Sequence, residues 1–315
     1  MNAAYLYRDA FSQLPEGESG DLLQLVGSDT PEAESLVQQG RAALDALRRA
    51  AACPDCDWGH RLTMDVPVKD FSDARRLTAL ALLRASRALR GGEVGAALDD
   101  LLAVMALGRH LGQGLYLCGM VGFAIEDLAA TEVLGLLGGL DRDACLGLAA
   151  RLDALPPFPD LIATVRAEQD YFRANYRDWF AALDEAAVEP ALRAQFGLTD
   201  EQRALAGPFL PGGDPAEEML RASGGDKARL MAMAGEALGA FDALASVAGG
   251  EPADRLAPLR EAAANNPLLA DVLQSFDRAR PTWERFQARG HRLRARVVAG
   301  GQGTGEDRGP TFSVN

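Results

Sequence analysis

Apolar residues recur every three or four positions along most of this chain, which is the period of an α-helix. The pattern is clearest over residues 72–90, and a second segment of the same kind covers residues 93–111. The pair Gly91-Gly92 separates the two segments and favours a tight turn between them. The pattern therefore predicts two antiparallel helices that form an αα-hairpin.

The rest of the chain also follows a helical pattern, and several helices begin at a residue suited to capping. The predicted helices outside the hairpin cover residues 3–13, 31–51, 116–137, 141–155, 160–185, 227–247, 253–263 and 268–298. Candidate N-caps, whose side chains accept hydrogen bonds from the first turn, are Thr30, Ser72, Asp160, Thr199 and Asp214. Pro281 predicts an interruption or a bend in the last helix.

Proline and glycine mark the predicted non-helical segments. The longest of these inside the fold covers residues 53–70, and the clearest break is Pro156-Pro157-Phe158-Pro159. We take that break as the boundary between an N-terminal helical region, residues 1–155, and a C-terminal helical region, residues 156–299. The Gly-rich tail, residues 300–315, is predicted to be disordered.

Composition agrees with a helical fold. Hydrophobic residues make up 48% of the 315 residues, which is enough for a sizeable core, whereas aromatic residues make up only 6%. The apolar content is therefore mostly Leu, Ala and Val, and Leu and Ala are good helix formers. Because β-branched residues rarely stand side by side, the chain does not favour sheets. We predict an all-α fold, either an irregular helical bundle or an array of αα-hairpins.

Charge and apolar patterning exclude several classes of partner. The net charge of −13 repels phosphate backbones, so nucleic acid is not an expected partner. The most apolar region, residues 115–140, is interrupted by Glu126 and Asp127, so no transmembrane segment is predicted. No signal peptide is recognised, and four cysteines are too few for a disulfide framework. We expect a soluble, cytoplasmic protein, with removal of a leader sequence left open.

The sharpest candidate for chemistry is the segment that contains Cys53, Cys56 and His60. Two thiolates two residues apart can bind zinc together with a nearby histidine, but a structural zinc site needs a fourth ligand from elsewhere. The same spacing suits a redox dithiol, although that chemistry is usually found in a βαβ context. The structural alternative is a pair of free cysteines in an ordered loop. In that loop, Trp58 is expected to pack against the helices and Gly59 to adopt a turn conformation.

Two further groups of polar residues lie on predicted helices. His110, Glu126 and Asp127 occupy neighbouring helices and could form a metal site inside a bundle, or serve as surface and capping residues. The long helix after the proline break carries aromatic and acidic residues that either line a groove or pack between helices. Its members are Glu168, Asp170, Tyr171, Tyr176 and Trp179.

The last predicted helix carries a basic stripe. Its members recur at helical spacing and are Arg285, Arg289, Arg292 and Arg296. Such a stripe could bind an acidic partner or lie on a membrane surface. The structural alternative is that the arginines pair with carboxylates of the protein itself.

The segment from Leu77 to Leu111 resembles one tetratricopeptide-type helical hairpin, in degenerate form. The features that carry the resemblance are the small residues near the helix crossing and the leucines after them: Ala85, Ala88, Gly92, Ala96, Ala97, Leu98 and Leu101. Clean copies at the expected period of about 34 residues are not found. The resemblance implies a helix-lined surface that binds proteins or peptides, and it implies no catalytic residue.

A second resemblance covers about the first half of the chain. The opening Asn2-Ala3-Ala4-Tyr5-Leu6-Tyr7, the step Cys56-Asp57-Trp58-Gly59 and the run Leu107-Gly108-Arg109-His110-Leu111 are similar to a group of bacterial helical proteins of unknown function. The sequence as a whole predicts a non-enzymatic interaction or scaffold protein that binds another protein or a peptide. The alternative is a metal-binding or thiol-active protein that uses Cys53, Cys56 and His60.

Overall fold

The protein is built from α-helices. The computed structural model describes residues 1–16, 19–59, 68–197 and 214–302, and these residues contain no β-strand. The helices before the proline break are α1 (Ala3–Ser12), α2 (Ser19–Gln24), α3 (Pro31–Gln39), α4 (Arg41–Ala51), α5 (Val68–Arg90), α6 (Val94–Leu111), α7 (Tyr116–Leu136) and α8 (Arg142–Asp153). The prediction of an all-α fold is confirmed.

The helices after the break include two short ones and the longest helix of the described chain. They are α9 (Leu161–Phe172), α10 (Asp178–Ala182), α11 (Val188–Phe196), α12 (Pro215–Ser223), α13 (Lys227–Ala248), α14 (Ala257–Ala263) and α15 (Pro267–Gln302). A π-helical turn, Arg173–Arg177, joins α9 to α10. Three-residue or four-residue 3₁₀ turns lie at Leu137–Gly139, Glu185–Ala187 and Ala253–Leu256.

Apolar side chains form two cores that share helices. The first core comprises α1 and the helices from α4 to α8, and it also takes Leu293 and Val297 from the C-terminal part of α15. The second core comprises the helices from α9 to α15, and it takes Tyr116 and Phe123 from α7. Because α7 and α15 each contribute to both cores, burial of apolar surface links the two regions.

The α5–α6 hairpin forms as predicted, with Gly92 in the left-handed region at φ +78°. The next pair of helices, α6 and α7, crosses with the two backbones close together. A methyl group on Gly108 of α6 would lie 2.6 Å from the carbonyl oxygen of Gly122 on α7. The two backbones are therefore in contact at this point, and only glycine fits at both positions.

Several predicted helix starts are confirmed by their caps. The Thr30 hydroxyl accepts a hydrogen bond from the Ala33 amide, and Asp160 accepts from Ile162 and Ala163. Asp214 likewise accepts from Ala216 at the start of α12. These side chains satisfy amides that have no partner inside the helix.

Four details of the sequence prediction are wrong. The helix predicted over 31–51 is divided at Gly40, where an added methyl group would overlap the Leu80 side chain and displace it. The helix predicted to start at Ser72 begins at Val68, so Ser72 is not a cap. The helix after Asp160 ends at Phe172 and changes to the π-turn.

The fourth correction concerns the interruption predicted at Pro281. Helix α15 continues through this residue from Pro267 to Gln302, and the alternative of a bend stays a prediction. A proline inside a helix removes one backbone hydrogen bond, and contacts of Trp283 and Phe276 with the second core hold the helix on both sides of it. The predicted helix start at Thr199 and the tail from residue 303 lie outside the described residues.

Helix α13 meets the length and hydropathy expected of a membrane span, and half of its most apolar window is buried inside the protein. Its buried residues pack in the second core against α9 and α15. A core helix of a globular fold has the same composition, so this helix is weak support for a membrane-spanning role.

We predict that the substitution Gly122→Ala lowers the free energy of unfolding by about 1–3 kcal/mol, because the added methyl group overlaps α6 and must push the helices apart. The matched control is Gly135→Ala on the same helix, where an added methyl group meets nothing within 4 Å. That control should be neutral or stabilise the protein by up to about 1 kcal/mol. Urea-induced unfolding measures both, and equal effects would contradict the close crossing.

Candidate functional site

Trp58 anchors the loop that follows α4. Its indole is 4% exposed, stacks on Tyr7 at 5.5 Å between ring centroids, and also stacks on Phe11. The indole Nε1 donates a hydrogen bond of 3.0 Å to the carbonyl of His110 at the end of α6. Gly59 follows with φ +61°. The predicted roles of Trp58 and Gly59 are confirmed.

The same loop is tied to the beginning of the chain. The Asn2 side chain donates to the carbonyl of Asp57 at 2.6 Å and accepts from the Asp57 amide at 2.9 Å. The Ala3 amide donates to the carbonyl of Asp55 at 2.9 Å. These backbone contacts give the loop one defined conformation beside α1.

His110 lies under this loop. Only 2% of its surface is exposed, and its Nδ1 is 2.9 Å from the hydroxyl of Tyr7. Its Nε2 is buried without a hydrogen-bond partner among the described residues. Burial lowers the pKa of His110 to about 4, so the imidazole is neutral at pH 7. His110 lies in the last turn of α6 as predicted, but it is buried and neutral, so the expected surface position is wrong.

The cysteines of the loop are free thiols. Both are partly exposed, and the Cys53 thiol lies 3.6 Å from the carbonyl of Arg49. Among the residues with described positions, no three His, Cys, Asp or Glu side chains are grouped as metal ligands. His60 lies outside the described residues. A zinc site of Cys53, Cys56 and His60 stays a prediction from the sequence.

The acidity of Cys56 differs from that of an activated thiol. Burial, with a further contribution from the Asp57 carboxylate, raises the pKa of Cys56 to about 12. Reactive cysteines usually have a lowered pKa because the thiolate is the nucleophile. The environment of Cys56 keeps the thiol protonated at neutral pH.

An open hollow of about 520 Å³ lies between the loop, the chain start and the proline break. His110 and Gln113 line it from α6 and the residues just after it, and Pro156 and Pro157 form the opposite side. The loop contributes Pro54, Asp55, Cys56 and Asp57, and the chain start contributes Met1 and Asn2. Both acidic residues of the loop are exposed.

A second open hollow of about 420 Å³ lies between α4, α6 and α8. Its floor is Leu102, Ala103 and Ala106 of α6, and all three are buried. Its walls are Arg48, Ala51 and Ala52 at the end of α4, and Arg151, Ala154 and Leu155 at the end of α8.

Asp99 closes the far end of this second hollow. Its carboxylate lies 2.6 Å from Arg151 of α8 and 3.7 Å from Arg48 of α4. Arg48 also donates to the buried carboxylate of Asp100 at 2.7 Å and to the carbonyl of Ala96 at 2.8 Å. Both arginines at this end therefore have ionic partners within the protein.

The two hollows lie end to end on one face of α6. The residues that line them from α6 and just beyond it are Asp99, Leu102, Ala103, Ala106, His110 and Gln113. Spacings of three and four residues place these side chains on the same side of the helix. One wall runs from the end of α4 into the loop that contains Cys56, and the other wall runs from the end of α8 into Pro156 and Pro157. We call this combined feature the α6 groove.

A buried ion pair holds the proline wall of the groove. Arg109 donates to Glu126 of α7 at 2.9 and 3.0 Å and to the carbonyl of Pro156 at 2.8 Å. Its guanidinium also lies 3.9 Å from the centre of the Phe158 ring. Residues Arg109 and Glu126 are 7% and 4% exposed. The proline break is thereby attached to the α6–α7 crossing.

The three polar residues that could form one metal site, His110, Glu126 and Asp127, have different partners in the structure. Glu126 pairs with Arg109, whereas Asp127 pairs with Arg289 of α15. His110 instead faces Tyr7.

Members of the basic stripe on α15 also have different surroundings. Arg289 pairs with Asp127 and donates to the hydroxyl of Thr131 at 2.7 Å. Arg285 donates to the carbonyl of Pro281 and to the hydroxyl of Thr282 on its own helix. Arg292 and Arg296 are exposed and form no ion pair with the described residues. Binding of an acidic partner by this stripe stays a prediction.

Glu168 of α9 accepts a hydrogen bond of 2.7 Å from the amide of Tyr116, the first residue of α7. The pKa of Glu168 is raised to about 7, mainly by burial; the hydrogen bond from Tyr116 opposes the shift, and the carboxylate of Asp271 adds to it. Tyr176 of the π-turn stacks on Phe172 and Phe196. These aromatic residues therefore pack between helices, and Glu168 caps a helix from the neighbouring core.

The sequence analysis did not identify most residues of the α6 groove. Arg48, Asp99 and Arg151 are ordinary charged positions of amphipathic helices. The one available signal was the run of small residues Ala103 and Ala106 on the face of α6 that also carries His110. Comparison with protein-family models, with curated proteins and with solved structures found no match to this chain.

We predict slow alkylation of Cys56 in the variant Cys53→Ser/Cys118→Ala/Cys145→Ala. A pKa of about 12 against an ordinary value of 9.0 lowers the thiolate fraction at pH 8 roughly a thousandfold. The iodoacetamide reaction rate of the folded protein, compared with the same protein in urea, measures this effect. Equal rates would show that Cys56 is an ordinary accessible thiol.

We predict that Glu168→Gln stabilises the protein at pH 8 and has a smaller effect at pH 5. The folded-state pKa of Glu168 is raised, so its favourable contribution is complete at low pH and is lost as the pH rises through about 7. The stability difference between variant and wild type should increase by about 2–3 kcal/mol from pH 5 to pH 8. Asp170→Asn, at an exposed carboxylate of the same helix, is the control. A difference that does not change with pH would contradict the prediction.

Proposed function

We propose that this protein is a non-enzymatic helical binding protein that holds a segment of another protein, or a peptide, in the α6 groove. The observation that carries the proposal is the pair of end-to-end hollows on one face of α6, open to solvent and walled on both sides. Volumes of about 520 and 420 Å³ are in the range of ligand-binding clefts in proteins.

The dimensions of the groove suit an extended peptide. Asp99 and His110 are eleven residues apart on α6, which corresponds to about 17 Å at a rise of 1.5 Å per residue. An extended chain advances about 3.3 Å per residue, so about five residues span this distance. A short linear segment would therefore contact both hollows at once.

The lining of the groove also suits a peptide. Its floor carries small or branched apolar side chains, which allow the backbone of a ligand to approach closely. Polar groups lie at its two ends, at Asp99 and at Asp55. An apolar centre with a few polar groups at defined positions is typical of binding sites that combine affinity with orientation.

The resemblance of the α5–α6 hairpin to a tetratricopeptide-type hairpin supports the same proposal. That resemblance implies a helix-lined surface that binds proteins or peptides. The α6 groove agrees with this implication because residues of three helices line it.

The proposal is tested by blocking the groove with Ala154→Trp. Ala154 is an exposed wall residue at the end of α8 with ordinary helical backbone angles, so a large side chain can be placed there without burial. Peptides selected from a random phage-displayed library with the wild-type protein should bind the variant at least tenfold more weakly in fluorescence anisotropy. The physical reason is that the indole occupies the volume needed by the ligand.

The matched control is Ala163→Trp, at an exposed position of α9 outside the groove. Its affinity for the selected peptides should equal that of the wild type. Failure to select any peptide, or equal binding to both tryptophan variants, would overturn the proposed function.

A further inference from the structure

We infer that the α6 groove selects a peptide segment with a lysine or arginine at the Asp55–Asp57 end, followed by small apolar residues over the centre of the groove. This inference rests on the proposed function and names the chemical class of its ligand. Three observations carry it: the unequal charge of the two ends, the unpartnered atom of buried His110 and the shape of the floor.

The two ends of the groove differ in whether their charged side chains have ion-pair partners within the protein. At the far end Asp99 binds both arginines, and Arg48 has a further carboxylate partner in Asp100. That end therefore offers no unpaired charge to a ligand. A charged ligand group gains most where the protein has charges without partners.

The loop end carries such charges. Among the described residues, Asp55 forms no side-chain hydrogen bond or ion pair, and the Asp57 carboxylate accepts one bond, from the amide of Gly59 at 2.8 Å. Both residues line the hollow, and neither carboxylate has an ion-pair partner among the described residues. Because the bonds of Asn2 and Ala3 hold the loop, both carboxylates have defined positions. A lysine or arginine of a ligand could form an ion pair with these carboxylates.

His110 provides a second, independent indication of a ligand at this end. It lines the same hollow, is 2% exposed and has no partner for Nε2 among the described residues. A buried polar atom without a hydrogen bond is uncommon in proteins because its desolvation is not compensated. Because Nε2 has almost no solvent-accessible area, a peptide amide or carbonyl supplies that bond only when the imidazole turns toward the hollow.

The middle of the groove selects by size. Ala103 and Ala106 form a shallow floor beside Leu102, and the walls there carry Ala51 and Ala154. Because these floor residues are already buried, the apolar surface that a ligand can remove from water lies on the walls, at Ala51, Ala52, Ala154 and Leu155. Small apolar ligand side chains can cover this surface without displacing the helices.

The inference is tested with an acetylated and amidated hexapeptide positional-scanning library, in which each position is fixed in turn. The proteins compared are the wild type, Asp55→Asn/Asp57→Asn, Ala154→Trp and Glu132→Gln/Glu261→Gln. The last variant makes the same change in net charge at exposed positions away from the groove. Asparagine at position 57 keeps an oxygen that can accept the Gly59 amide, so the loop conformation is retained.

The expected result is enrichment of lysine or arginine at one position and of alanine or other small apolar residues at the positions after it. The selected peptides should bind Asp55→Asn/Asp57→Asn about tenfold more weakly than the wild type and should weaken further as salt is raised. Binding to Glu132→Gln/Glu261→Gln should be unchanged, and Ala154→Trp should abolish binding.

Two results would overturn the inference, and they are distinguishable. Peptides that lose binding in Ala154→Trp but carry no basic residue, or bind the Asp55/Asp57 variant like the wild type, would refute the charge selection and leave the proposed function standing. Peptides that bind Ala154→Trp as well as the wild type, or no binding at all, would refute the groove itself.

Discussion

The contact between Gly108 and Gly122 is the constraint on which much of this structure depends. It brings the backbones of α6 and α7 together, and the buried pair of Arg109 and Glu126 forms one turn away. An ion pair removed from water is stabilising only when its geometry and additional hydrogen bonds compensate for desolvation. Here the carbonyl of Pro156 supplies an additional bond to Arg109, whereas Oε2 of Glu126 is buried without a partner among the described residues, so the compensation is incomplete. Loss of either partner would leave a buried charge, so the pair and the crossing support each other.

This crossing also explains how the groove arises. Arg109 attaches the proline break to α6, and His110, the next residue, points into the space between Tyr7 and the loop. The loop is in turn fixed by Trp58, whose indole binds the carbonyl of His110. Both walls at this end of the groove are therefore positioned from two consecutive residues of α6. The proposed binding site is a consequence of how the helices are joined and not of a separate binding motif.

Burial favours the neutral form of ionisable side chains in both cores. In the first core it keeps His110 neutral and Cys56 protonated, and neither group is prepared for nucleophilic chemistry at neutral pH. In the second core it raises the pKa of Glu168 to about 7, although this carboxylate caps the first turn of α7. The capping contact between the two cores is thereby sensitive to pH in the physiological range, whereas the ion pairs on the surface are solvated and contribute little.

The sequence by itself determined the helical class, the α5–α6 hairpin and the caps at Thr30, Asp160 and Asp214, because helical periodicity and capping depend on neighbours within about four residues. It also indicated that Trp58 anchors its loop. Only the tertiary structure decided that Gly40 divides a predicted helix, that α15 continues through Pro281, and that His110 is buried away from Glu126 and Asp127. Asp55 and Asp99 are far apart in the chain, and the groove joins them through packing of α4, α6 and α8. Contacts of that kind depend on which helix faces meet, and local residue patterns do not specify this.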